Sequence, residues 1–168
     1  MIEERSYRLL FPSELEQHML VVGETDLAIC LPKNIWNEAV EKGLRDKIIE
    51  HRQYLQDFIV EYPQFAASHQ PLEVPLAAPP VVQKMAAAAK AAGVGPMAAV
   101  AGAIAARVGQ WLHTYSADVI VENGGDIFIA STQERIIGVY AGKENPFTGK
   151  IAVRLAAELF PCGVCTSS

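Results

Sequence analysis

Apolar positions along the chain change their period twice. "SYRLLF" (Ser6 to Phe11) is a short mixed run that reads as a strand. "HMLVV" and "LAICL" are further strand-like runs, separated by Gly23-Glu24-Thr25-Asp26, which predicts a hairpin. Pro32 suits a helix start. Over Asn34 to Tyr62 the apolar residues Leu44, Ile48, Leu55, Phe58, Ile59 and Tyr62 recur at helical spacing, with Gly43 as a point where the helix could split and Pro63 as its stop. The next stretch, "PQFAASHQPLEVPLAAPP", holds five prolines and predicts an extended surface crossing rather than a core element.

Two alanine-rich helices are predicted next. "VVQKMAAAAKAA" ends at Gly93, a residue suited to the left-handed position after a helix. Gly95-Pro96 opens the second, because proline at the first helical position lacks only an N–H that would be unpaired anyway. On that helix Met97, Val100, Ala101, Ile104, Val108 and Trp111 form one apolar face. Ala99, Gly102, Ala103 and Ala106 form another of very small residues, against which a sheet or a flat ligand can lie closely. From Ala117 the period is that of strands again. "DVIVE", "IFIAS", "RIIGVYA" and "KIAVRLA" are joined by "NGGD", "TQE" and "GKENPFTG", spacers that favour antiparallel neighbours in a meander. Strands, helices and strands segregated in this order predict an α+β fold over residues 1–168 as a single domain, a mainly antiparallel sheet covered on one face by the alanine-rich helices.

Composition narrows the function classes. A chain of 168 residues, 51% hydrophobic and 20% charged, can bury one full core. A net charge of −5 with no basic stripe argues against a nucleic-acid partner. The longest uncharged part of the apolar region, Ala91 to Ala106, is shorter than the roughly 20 residues that cross a bilayer, so no membrane span is expected. The opening "MIEERSYRLL" lacks the apolar core of a signal peptide, and three cysteines do not make a disulfide framework; both point to a cytoplasmic location.

Three short motifs could carry chemistry. In "VENGGDIF", Asn123-Gly124-Gly125-Asp126 reads either as a hairpin turn, since both central positions tolerate positive φ, or as bared main chain for a ligand with Asp126 beside it. "GVGPM", at Gly95, is either a helix cap or an anion site at a helix start; it is neither a Walker loop nor a Rossmann fingerprint. "PCGVCTSS" gives Cys162 and Cys165 a C-x-x-C spacing that fits structural thiols, a redox pair or half a zinc site, while Thr166 and Ser167 offer hydroxyls. Glu24 and Asp26 flank their turn as a solvated hairpin tip in the first reading and as paired carboxylates in the second, and His18, His51, His69 and His113 match no catalytic signature. No residue is an evident nucleophile or general base, so the catalytic set is unknown and an enzyme reading would rest on a held cofactor.

The stretches "VGPMAAVAGAIAARVG", "VENGGDIFIAS", "IGVYAGKENPFTGKIAVRL" and "PCGVCTSS", with "ETDLAI" and "APPVVQKMAAAAKAAGVGPMAAV", resemble a branch of the ApbE-like superfamily across nearly the whole chain. Likeness to the flavin transferases of that superfamily is confined to Gly95 onward. The resemblance implies a T-fold-like domain that binds a flavin nucleotide, FAD or FMN, with magnesium, and the transfer of FMN onto a threonine of a partner protein. It implies nucleotide contacts at Gly124, Gly125, Asp126, Thr166 and Ser167, to which the motif readings above add Gly95 and Asn123. Two departures stand against transferase activity. The helix start Gly95-Pro96-Met97-Ala98-Ala99 lacks the transferases' lysine and aspartate, and their late metal box has no counterpart before Ser168. The expectation is therefore a C-terminally truncated relative, with no metal ligands of its own and a small-molecule nucleotide as partner. A homo-oligomer is expected, since sheet edges left by a half-length domain need covering. The rival reading is a non-enzymatic assembly domain in which NGGD is only a turn.

Overall fold

The computed structural model describes residues 14–142, 145–148 and 150–165. The predicted strand Ser6 to Phe11 lies outside them. Among the described residues the fold is α+β, with four helices and a five-stranded, wholly antiparallel sheet in the order β1-β2-β3-β4-β7. The strands are β1 (Leu15–Val22), β2 (Thr25–Pro32), β3 (Val119–Asn123), β4 (Asp126–Ala130) and β7 (Cys162–Val164). A separate ribbon pairs β5 (Arg135–Gly138) with β6 (Ala152–Leu155).

The first hairpin turns on Gly23-Glu24, with Val22 opposite Thr25 and Gly23 at φ +58°. Its tip is tied to the first helix by Arg52, which pairs with Glu24 and donates to Thr25 Oγ1 at 3.0 Å. Glu24 is thus held by a cation at a largely solvated hairpin tip, the reading preferred from the sequence over a pairing with Asp26. Pro32 does not start a helix: it is the last residue of β2, and α1 (Glu38–Glu61) begins where Asn37 Oδ1 accepts the amides of Ala39 and Val40 at 3.0 and 3.1 Å. Nor does Gly43 split α1. A Cβ there would come within 3.0 Å of the Trp111 ring, so the glycine leaves room for an indole whose packing offsets its poor helix propensity.

Pro63 ends α1 and leads into the short α2 (Gln64–Ala67). Phe65 on that turn is 1% exposed and meets Phe58 edge-on, with ring centroids 5.2 Å apart. The proline-rich crossing therefore contributes to the core, contrary to the expectation from its composition. After it come α3 (Pro80–Ala92), closed by Gly93 at φ +70°, a 3-10 turn over Pro96–Ala99, and α4 (Val100–Leu112). The axes of α3 and of the segment Pro96–Leu112 differ by 107°; no single helix among the described residues is long and apolar enough to cross a membrane.

Every second residue of β2 points the same way, so its two faces feed two cores. Leu27, Ile29 and Leu31 join Val119, Val121 and Phe128 under the helices. Cys30 joins Ile120 and Ile129 on the opposite face, where Ile137 of β5 and Leu155 of β6 pack against them. The expected meander is thereby broken. The β5–β6 ribbon leaves the sheet to cover its second face, and β7, from the chain end, takes the place beside β4.

The ribbon is pinned through Arg135, 7% exposed, which pairs with Glu14, donates to Ser131 Oγ at 2.9 Å and reaches Asp118 at 3.2 Å. Burial alone would raise the Asp118 carboxyl. Hydrogen bonds from Ser131, Thr132 and Arg135 outweigh it and hold the group below its ordinary range. A carboxyl lowered in the folded state stabilises the fold above its unfolded pKa, about 3.9, and loses that contribution as pH falls through the folded value. Asp118→Asn is expected to cost about 2 kcal/mol at neutral pH and to flatten the acid limb of stability below about pH 4. Urea midpoints at stepped pH check this; an unchanged acid limb would show that the carboxylate does not hold the ribbon.

Candidate functional site

The residues singled out at NGGD form the corner between β3 and β4. Asn123 stands opposite Asp126, leaving Gly124 and Gly125 as a two-residue turn at φ +63° and +99°. Positive φ at both central positions matches the right-handed twist of the flanking strands, which is why the glycines are there as far as the chain path is concerned. The turn is real, and it does not settle what the side chains beside it do.

Those side chains lean onto the start of α4. Asn123 Nδ2 donates to the carbonyl of Ala101 at 3.1 Å. Next to it, a Cβ on Gly102 would sit 3.2 Å from Asp126 Oδ2 and 3.7 Å from Cys165 Sγ. The predicted small-residue face is what lets a carboxylate approach the helix so closely. Further along, a Cβ on Gly109 would come within 2.0 Å of the Phe128 ring, so the same stripe also seats α4 on β4. Sheet packing and the Asp126 corner thus use one face of the same helix, about two turns apart.

One amide of the turn is not bare. Gly125 N–H donates to Glu122 Oε1 at 2.7 Å, and Glu122 is only 1% exposed. A ligand at the corner therefore cannot use both glycine amides as supposed. Glu122 was not singled out from the sequence; its only signal was a charge inside an otherwise apolar strand. Glu122 pairs with Ile127 on the second face of the sheet, so on the helix side the corner presents the Asp126 carboxylate alone, suited to accepting hydrogen bonds from hydroxyl or N–H groups and unsuited to a bare phosphate.

Gly95 stands apart from this corner. It is buried, and a Cβ there would lie 1.9 Å from the Ser68 carbonyl oxygen. Its missing side chain admits the backbone of the proline-rich crossing. Thr166 and Ser167 lie outside the described residues. Of the other predicted contacts, Asn123, Gly124, Gly125 and Asp126 are together by virtue of the turn, and Cys165 joins them.

The C-x-x-C pair is divided by the sheet. Cys162 lies opposite Ile129 on the face turned toward β5 and β6, whereas Cys165 lies beside Gly102 and Asp126 on the helix face. Residues three apart on an extended chain point to opposite faces, so the spacing that would serve a helix or a zinc knuckle separates them here. Both are free thiols, and burial pushes each upward, with Asp126 adding to the effect at Cys165. Neither is activated as a nucleophile. Among the described residues no group of three or more His, Cys, Asp or Glu side chains is placed to hold a metal ion. Asp126 with Cys165 is too small a set for magnesium, which wants several hard oxygen ligands.

The comparisons with known proteins agree over nearly all of the chain. It is 36% identical over 151 residues to a UPF0280 protein of Methanocaldococcus jannaschii, which covers 89% of this chain and 59% of that protein. A UPF0280 protein of Methanosphaerula palustris is 39% identical over 146 residues, covering 86% of this chain and 59% of the relative. One from Methanocella arvoryzae is 41% identical over 128 residues, 73% of this chain and 50% of the relative. The chain thus spans about six tenths or less of the length of these relatives. Residues 8–168 match the family described as AbpE bacteria, and the chain belongs to that family.

Proposed function

We propose that the protein is an ApbE-like flavin-nucleotide-binding protein that takes the nucleotide at the β3–β4 corner, with FAD-dependent FMN transfer as the activity class. The observation that carries the reading is the approach of Asp126 to Gly102: a carboxylate laid on a helix surface stripped of side chains. A flat ring can rest against such a surface while its N–H groups, or the hydroxyls of the attached sugar chain, donate to the carboxylate. The Asp126 carboxylate supports this choice of donors; the phosphates would need magnesium, whose ligands the resemblance does not supply here. Since the chain covers 59% of its first relatives' length, the transfer step and its acceptor threonine rest on resemblance alone. A cytoplasmic setting and a homo-oligomeric state belong to the same proposal.

A second reading has its own support: the positive φ values of Gly124 and Gly125 account for both glycines by the turn alone, as an assembly domain would require. Titration with FAD, with and without magnesium chloride, separates the two. The flavin reading expects quenched flavin fluorescence, release of AMP if transfer occurs, and about tenfold weaker binding in Asp126→Asn. No binding at millimolar FAD, or an affinity indifferent to Asp126→Asn, removes the flavin site and leaves the assembly reading.

A further inference from the structure

A concavity of about 590 Å³ opens between α1, α4 and the end of the proline-rich crossing. Its size falls within the range of small-molecule sites. None of Gly95, Asn123, Gly124, Gly125 or Asp126 lines it. Lys47, Glu50, His51 and Tyr54 present one stripe of α1, at spacings of three and four residues that keep them on a single face. Arg107 and Trp111 present the facing stripe of α4, and Ala77 to Pro80 close the end with apolar side chains.

The charges across this cleft do not cancel. Lys47 is taken up by Glu50, Nζ to Oε2 at 2.8 Å, and Tyr54 donates to the same carboxylate at 3.1 Å. Arg107 has no such counterpart among the described residues. Its Nε is buried without a hydrogen-bond partner. A buried N–H without an acceptor is costly, and an acceptor entering the cleft would meet it while the partly exposed ends of the guanidinium keep their water. His51, 7% exposed, faces the same space. The Trp111 ring, seated over Gly43, and the Tyr54 ring give the walls flat apolar surface.

We propose that this cleft binds a small organic oxyanion, a carboxylate or phosphoryl group on a planar body, gripped by Arg107 with His51 as second donor and enclosed by Trp111 and Tyr54. Arginine supplies the bidentate fork that such oxyanions match, and the rings cover the body behind it. The inference stands on residues separate from the β3–β4 corner and does not depend on the flavin reading. It also gives the proline-rich crossing a role, since Ala77 to Pro80 shape the end wall.

The site carries a pH signature. Burial, then Arg107 from α4, lowers the His51 imidazole below its ordinary value; Lys47 acts in the same direction and Glu50 opposes them from α1. An anion beside His51 offsets the repulsion from Arg107 and favours the imidazolium, so binding takes up a proton and tightens as pH falls.

Calorimetric titration of the full chain with benzoate and with phenyl phosphate tests the proposal, with inorganic phosphate as the probe that lacks a planar body. Whichever of the two aromatic probes binds identifies the oxyanion, and inorganic phosphate is expected to bind at least about tenfold more weakly. Arg107→Gln should weaken the preferred probe by about tenfold to a hundredfold. Ala77→Phe, which adds bulk at the end wall and leaves Arg107 in place, should do the same, with urea midpoints showing that both variants fold. Affinity should rise from about pH 8 to about pH 6, and His51→Gln should flatten that rise. The proposal is overturned if neither aromatic probe binds at millimolar concentration, or if both variants bind as the parent does. It is overturned equally if Asp126→Asn abolishes binding while Arg107→Gln leaves it intact, which would place the ligand at the corner.

Discussion

Replacing Gly95 with alanine is expected to destabilise the protein by about 3 kcal/mol or more, and to lower its melting temperature by about 10 °C. The backbone angles at Gly95, φ −71° and ψ 152°, suit any residue, so strain in the main chain is not the cause. The cause is space. The new methyl would meet Ser68 O at 1.9 Å, Ser68 C at 2.8 Å and His69 Cα at 2.9 Å, all backbone atoms. Ser68 cannot simply retreat. Its amide is bonded to Gln64 O at 2.9 Å and its hydroxyl to Gln70 O at 2.7 Å. Gly93→Ala is the matched control: at φ +70° with nothing within 4 Å, it should cost only about 1 kcal/mol, from backbone conformation alone. Urea denaturation of both variants decides the matter. Equal, small losses would show that Gly95 is not a contact point of the crossing and would return it to the list of ligand-facing glycines.

Truncating Phe65 to alanine should cost about 3 to 5 kcal/mol, a large part of the about 5 to 15 kcal/mol that holds an ordinary domain together. Phe65 is 1% exposed and sets its edge against Phe58 at an interplanar angle of 86°, while Phe58 stacks on Tyr62 at 4.6 Å. Removing the ring leaves a cavity bounded by α1 and by a chain segment stiffened by prolines, which collapses poorly. Phe65→Leu, which keeps most of the volume, should lose less than half as much. The measurement is the unfolding free energy from urea titration with the slope checked for constancy. A loss below about 1 kcal/mol would mean that the crossing lies on the surface, as its composition alone suggests.

That contrast shows where sequence reasoning reaches its limit. "PQFAASHQPLEVPLAAPP" is read as extended because proline and short polar residues act locally on the backbone, and between α2 and α3 it has no regular structure. Its burial is a different matter, decided by α1 turning Phe58 toward it. Gly43 fails in the same way: its propensity is local, but the indole that fills the space above it comes from α4. At the candidate site, the Asn123–Asp126 turn was legible because two adjacent glycines between β-branched runs can do little else. The contact of Asn123 with Ala101, the burial of Glu122 and the separation of Cys162 from Cys165 were not legible, since each depends on which strands and helices become neighbours.

What the chain determined by itself was local: the Gly23-Glu24 and Gly124-Gly125 turns, the αL stop at Gly93, and the strand–helix–strand order that makes the fold α+β. These follow from steric limits on φ and ψ and from periods of 2 and 3.6 residues, which act over a few positions. Only the tertiary structure decided that β7 rather than β5 completes the sheet. It alone set Gly95 against Ser68, and brought His51 and Arg107, 56 positions apart, into one cleft. Those pairings come from burying apolar faces on one another, a non-directional force that leaves no spacing rule in the sequence.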